Sequence, residues 1–186
     1  MKERLVRGTN LANVLRVLRL HARKGPIPEL GQWEQDLMRK RIATSTWYSL
    51  KVFDSLLQIV HRFVYDGSEA AAQAMGREHA RARIADFPGL LVADDPLETL
   101  SRFPARWRQH FNFGEVHVTP LPAREGEHGV RVRITGYPDM SACHGHSIMG
   151  FSLEIAERVG ATAPRLNVEE RPWMHNSVLS YTITWR

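Results

Sequence analysis

A single cysteine, Cys143, stands among 186 residues. It cannot close an internal disulfide, so the chain is expected to hold its shape by core packing in a reducing, cytoplasmic compartment. Long apolar runs are lacking too. The stretch SLLQIV falls far short of the ~20 residues that a membrane-crossing helix needs, and the N-terminal MKERLVRGTN is charged with no apolar run behind it, against a secretory signal. Catalytic signatures are also missing. There is no nucleophile elbow, no phosphate-cradling glycine loop and no H-E-x-x-H pair. The paired acids of VADDPLET read as a helix start, with Asp95 as cap before Pro96. The chain is expected not to be an enzyme.

What is present in excess is positive charge: 25 Lys and Arg against 20 Asp and Glu, a formal net charge of +5. The imbalance is concentrated early, where residues 1–41 carry ten basic residues against four acids. A second group comprises Arg77, Arg81 and Arg83, then Arg102, Arg106 and Arg108. These side chains alternate with apolar ones at helical spacing, which marks solvated helix faces. A surface for an acidic protein or an anionic membrane is the second reading. Nucleic acid is not expected, because no helix-turn-helix, zinc finger or single-strand-binding signature accompanies the charge.

Periodicity predicts several helices first. TNLANVLRVLRLHARKG has a cap-like Thr9/Asn10, apolar residues at Leu11, Val14, Leu15 and Leu18, and a closing Gly25-Pro26. PELGQWEQDLMRKRI is a second helix, and WYSLKVFDSLLQIVHRFVYDG a third with a broad apolar face. GSEAAAQAMGREHARARIADF starts at Ser68, and DDPLETLSRFPARWRQHFNFG starts at Asp95 and should be interrupted at Pro104. The period then becomes two. GEVHVTPLP and HGVRVRITGYP alternate around a turn-like LPAREGEHG, predicting a hairpin. A helix ending at Gly160 follows, then the strands PRLNVEERPW and NSVLSYTITWR. The class is α+β: N-terminal helices over about 1–112, packed on an antiparallel sheet with a ββαββ half over about 113–186, in one domain over 1–186.

VRGTNLANVLRVLR, RKRIATSTWYSLKVFDSLLQIV and the stretch from PARWRQHFNFGEVHV to SYTITWR together resemble an uncharacterised paralogous family expanded in social, gliding bacteria. That family is similar in turn to a superfamily that includes the 4-vinyl reductase domain, the haem nitric-oxide-binding domain and the trafficking subunits of the TRAPP complex. The resemblance implies helices packed on an antiparallel sheet, with a ligand pocket between them in some branches. Activity does not carry over with a fold.

The stretch SACHGHSIMGF places Cys143 beside His144 and His146. The vinyl-reductase branch implies a zinc site whose first ligand falls near Cys143 and whose acidic ligand falls near Glu170. Its two later cysteine positions hold Trp173 and Tyr181, which cannot replace thiolates, although His175 lies close by. No metal site is therefore expected, with Cys143, His144, His146, Glu170 and His175 as weak candidates. Cys143 reads as a small core residue, and the two histidines as facing solvent or capping backbone. For haem, His61 and His110 are weak axial candidates. CHGH is not the C-x-x-C-H attachment motif, and the Tyr-x-Ser-x-Arg triad on which the haem branch depends is absent from the sequence. No cofactor is assigned.

The first functional expectation is a non-catalytic regulatory or protein-interaction module, with a protein partner or a second copy as a homodimer, and Trp33, Trp47 or Trp107 as anchors. The alternative is a small-molecule sensor whose apolar pocket lies between the helix over 139–159 and the sheet. Phe53, Leu57, Val60, Phe151, Ile155, Leu179, Tyr181 and Trp185 would line that pocket, against the plainer reading of a filled core.

Overall fold

The computed structural model of the chain describes residues 3–86, 89–122 and 126–186. Part of the hairpin turn expected over 121–129, and the last residue of the helix expected to run to Phe87, lie outside the described residues. The first element is a short antiparallel ribbon of β1 (Leu5–Arg7) and β2 (Trp47–Ser49), with Val6 opposite Tyr48. Three-residue strands carry too little alternation to be read from sequence. Trp47 and Tyr48, expected to open the long helix, belong to this ribbon instead.

Helices leave both strands directly. α1 (Gly8–Ala22) buries Leu11, Val14, Leu15 and Leu18; Thr9 and Asn10 lie inside its first turn and do not cap it. α2 (Gln32–Arg39) is short, and α3 (Leu50–Phe63) buries Phe53, Leu56, Leu57, Ile59 and Val60 at helical spacing. α4 (Glu69–Arg83) is capped by the Ser68 hydroxyl, which accepts the Ala71 N–H at 3.1 Å. The Asp95 carboxylate does the same for α5 (Pro96–Ser101), accepting the Glu98 N–H at 2.8 Å. The chain breaks at Arg102, and Pro104 falls in the first turn of α6 (Phe103–His110), where its missing N–H is not needed.

The main sheet contains β3 (Glu115–Pro120), β4 (His128–Thr135), β5 (Arg165–Glu170) and β6 (Leu179–Trp185), in the order β3-β4-β6-β5 and antiparallel throughout. Its inner face pairs Val130 with Ile183, Val132 with Tyr181 and Ile134 with Leu179, all buried. On the outer face Arg131 reaches Glu169 at 2.8 Å, and the Ser180 hydroxyl donates to the same carboxylate at 2.7 Å. Asn112 ties the ribbon to the sheet: its side chain accepts the Leu5 N–H at 2.7 Å and donates to the Glu3 carbonyl at 3.1 Å.

α7 (Ala142–Arg158) is buried on nearly every side, with Ser141 capping its start. It packs against α4 so closely that a Cβ on Gly76 would overlap the Ser147 carbonyl, and one on Gly150 would overlap the Gln73 carbonyl. At the end of this interface Glu154, 4% exposed, receives Arg81 at 2.8 Å and Arg158 at 3.4 Å. Among the described residues, no helix is long and apolar enough to cross a membrane. Gly150→Val is expected to lower the free energy of unfolding in urea by about 2–3 kcal/mol, or to prevent folding, since backbone blocks the added methyls. Gly25→Ala, which meets nothing within 4 Å, should be close to neutral.

Candidate functional site

A cavity of about 560 Å³ opens among α1, α3, α4, α6, α7 and the inner face of the sheet. α1 contributes Val14 and Val17, α3 Phe53, Leu57 and Val60, and α4 Met75 and His79. α6 contributes Phe103, Trp107 and His110; α7 His144, Ile148, Phe151 and Ser152; the sheet Val116, Val132, Ile134 and Tyr181. Of the eight residues expected to line a pocket, Phe53, Leu57, Val60, Phe151 and Tyr181 do so. Ile155, Leu179 and Trp185 do not; they are buried in the core. Ile155 lies one helical turn beyond Phe151, while Leu179 and Trp185 lie toward the two ends of β6, past the reach of the opening. The cavity is therefore bounded by helices more than by α7 and the sheet alone.

Most of the lining surface is apolar, and several of its polar side chains are already engaged. Tyr181 and Ser152 share a hydrogen bond of 2.8 Å deep in the wall, and burial pushes the Tyr181 phenol well above its ordinary range. The Tyr65 hydroxyl donates to Glu78 at 2.6 Å, which together with burial also raises its pKa. Trp107 is buried, with its indole N–H donating to the Phe113 carbonyl at 2.8 Å. Arg16, Arg81, Arg106 and Glu78 bring charge to the lining, with Arg16, Arg81 and Glu78 exposed to solvent.

His144 overturns the expectation that it faces solvent or caps backbone. It is 5% exposed, with its ring 5.2 Å from Phe53, 5.9 Å from Phe111 and 5.6 Å from Tyr137. Helix α7 is enclosed on nearly every side, so most of its polar residues go inside with it. Burial pushes the imidazole pKa down to about 4, against a smaller opposing pull from Asp54. Nδ1 lies 3.0 Å from the Tyr137 hydroxyl, which has no other partner among the described residues. Burial also holds that phenol protonated. If Nδ1 carried the proton, the buried phenol hydrogen would be stranded at a cost of about 1–3 kcal/mol. The phenol therefore donates to Nδ1, and the imidazole proton resides on Nε2.

The remaining candidates are dispersed. His146 is 2% exposed, not solvent-facing; it sits 5.2 Å from the Trp173 ring and 3.4 Å from Glu69, and burial lowers its pKa. Trp173 lies directly over Gly145, where a Cβ would strike its ring. Cys143 is buried, its thiol pushed up to about 12 chiefly by burial, with its sulfur 3.9 Å from the Leu57 carbonyl. Glu170 pairs with Arg133 at 3.6 Å on the outer face, and His175 occupies a left-handed turn at φ 67°. Among the described residues, no three His, Cys, Asp or Glu side chains converge as a metal would require. His61 binds the Ser68 carbonyl at 2.8 Å and does not line the cavity, whereas His110 does, with Thr9 3.3 Å from its Nδ1.

No protein-family model and no curated protein matches the chain. Solved structures do. An Fe(II) unliganded H-NOX protein, the A71G mutant from K. algicida, superposes with a TM-score of 0.62 over 97% of this chain and 96% of its own, at 12% identity. A second structure, described as modulating haem redox potential through protein-induced porphyrin distortion, gives a TM-score of 0.57 over 96% and 98%, at 8% identity. The chain shares their fold. At such identity the likeness extends to architecture and not to residues.

The depressed pKa of His144 sets a pH dependence. An unfolded histidine titrates near 6.5 and the folded one near 4, so between these values the unfolded chain binds more protons. The contribution to stability is complete above pH ~6.5 and declines as the pH falls toward 4, by about 3 kcal/mol in all. Urea titrations between pH 4 and 7 should show this slope. His144→Gln should flatten it between about pH 5 and 7, leaving the part due to His146, which is shifted in the same direction. A loss near pH ~4 remains from Glu154 and Glu169, whose pKa values, despite burial, are lowered by their arginine partners.

Proposed function

We propose that the chain is a one-domain, non-catalytic sensor module that holds a small, largely apolar organic molecule in its central cavity. The observation that carries this reading is the cavity itself. Protein interiors pack with few voids larger than a water molecule, whereas about 560 Å³ lies within the range of small-molecule sites. Its walls are mostly aliphatic and aromatic, with a few polar groups among them, as such sites require. The likeness of fold to an H-NOX protein supports a ligand-holding role and, with it, a place in the wider superfamily of vinyl-reductase, haem nitric-oxide-binding and TRAPP-subunit domains. The interaction reading, placed first from sequence, has less to stand on. Trp107 is spent in the cavity wall and Trp47 lies half-buried beneath Arg7 at 4.6 Å, while Trp33 is 47% exposed.

Haem deserves a specific test, since one structure of this fold is described through its porphyrin. An axial histidine must offer iron a nitrogen lone pair. Coordination through Nε2 of His144 would move its proton to Nδ1 and leave the buried Tyr137 hydrogen unpaired, at a cost of about 1–3 kcal/mol, so this residue is poorly suited to the role. The propionate-gripping Tyr-x-Ser-x-Arg is also absent from the sequence. His110 also lines the cavity, with the Thr9 hydroxyl 3.3 Å from its Nδ1. Without the propionate-gripping motif neither histidine has the setting of the haem branch, and the ligand we propose is organic and metal-free.

A thermal-shift screen of apolar organic molecules tests the proposal. A ligand at a hundred times its Kd adds about 2.7 kcal/mol of stability, a rise of several degrees in Tm. Ile148→Trp, which places an indole in the cavity, should abolish that response while the apo protein stays folded. An equal response in this variant, or no responding compound in the native chain, would contradict the reading. Added hemin should give no histidine-ligated Soret band.

A further inference from the structure

Among the polar side chains of the cavity wall, His144 has one ring nitrogen held by Tyr137 and the other without a partner among the described residues, and this bears on what the ligand must bring. His144 is 5% exposed, its Nδ1 is taken by Tyr137, and no hydrogen bond is made at Nε2 among the described residues. Nε2 is nevertheless not sealed in the packing, since it is absent from the buried, unpartnered side-chain atoms, and His144 lines the cavity. We place this nitrogen toward the cavity that His144 lines. A second observation fixes its sense: the Tyr137 phenol must give its hydrogen to Nδ1, so the group presented inward is a donor. The surrounding rings of Phe53, Phe111 and Trp107 all line the same cavity, with Phe111 stacked on Trp107 at 4.1 Å. Such walls penalise a full charge and favour a flat or aliphatic body.

We infer that the cavity selects apolar ligands bearing a neutral hydrogen-bond acceptor, a carbonyl, ether or hydroxyl oxygen, which the Nε2–H of His144 receives. Tyr137 acts as a positioning residue that holds the imidazole in the donating tautomer. This rests on the sensor reading above and adds a specificity-determining residue to it. A site built to hydrogen-bond an oxygen discriminates strongly against an analogue without it, because its own polar group is then left unpaired.

The test uses two fluorescent probes of similar shape on the full chain: 6-propionyl-2-(dimethylamino)naphthalene, whose ketone accepts, and its 6-propyl counterpart, which cannot. His144→Phe keeps an aromatic ring in place and removes the donor. It is expected to weaken the ketone probe at least tenfold and to leave the propyl probe unchanged or tighter. If both probes bind the native chain and the variant alters them equally, or alters neither, the inference is overturned while the sensor reading stands. If neither probe binds the native chain, the inference falls, and the sensor reading is decided by the thermal-shift screen. A ligand-free readout guards against a variant that fails to fold. Two-bond ¹H–¹⁵N spectra of the native protein should show His144 as the Nε2–H tautomer, and Tyr137→Phe should release that preference. An Nδ1–H tautomer in the native protein would overturn the inference.

Discussion

Two glycines allow the backbones of α4 and α7 to touch, and much of the molecule is arranged around that contact. Gly76 admits the Ser147 carbonyl and Gly150 admits that of Gln73, so the two helices meet at main-chain distance. Close approach draws α7 into the interior, where it is buried on nearly all sides. The polar residues it carries must then be satisfied inside. Glu154 is met by Arg81 and Arg158, Ser152 by Tyr181, and His144 by Tyr137. With α7 held against α4, the sheet and the helices α1, α3 and α6 close the remaining sides, and the space between them is the cavity.

The electrostatics of that enclosure follow from burial more than from charge pairing. Desolvation is the largest influence on His144, Tyr137, Tyr181 and Cys143, and it drives each toward its neutral form. His144 and Tyr181 in the cavity wall, and Tyr137 behind them, are thus neutral hydrogen-bonding groups, while Arg16 and Arg81 bring charge where the lining meets solvent. A neutral inner end excludes a carboxylate or a cation from that depth. It also explains why Cys143, the lone cysteine, is an inert core residue: its thiolate is inaccessible at physiological pH.

The sequence disclosed much of the fold because the relevant signals are local. Strict alternation in GEVHV, VRVRI and LSYTITW corresponds to β3, β4 and β6, and the caps at Ser68 and Asp95 are realised atom for atom. The ribbon of β1 and β2 escaped because three residues make no period. The site was only half legible. Phe53, Leu57, Val60, Phe151 and Tyr181 could be named as apolar residues on facing elements. The contributions of α1, α4 and α6 could not, because which helices face a void is decided by long-range packing. His144 was misread because a histidine in a helix resembles a surface residue. Gly145, Ser147, Gly150 and Ser152 offered a usable signal: small residues on more than one face of a helix allow neighbours to approach from several directions.

The central claim is that the interior holds a real chamber, kept open for a ligand. A crystal structure of protein purified gently from its host tests it most directly. The account predicts an open cavity near 560 Å³, containing organic density or ordered solvent within reach of His144 Nε2. A collapsed interior, with Phe53, Trp107 and Phe151 packed against one another and no space beside His144, would contradict it.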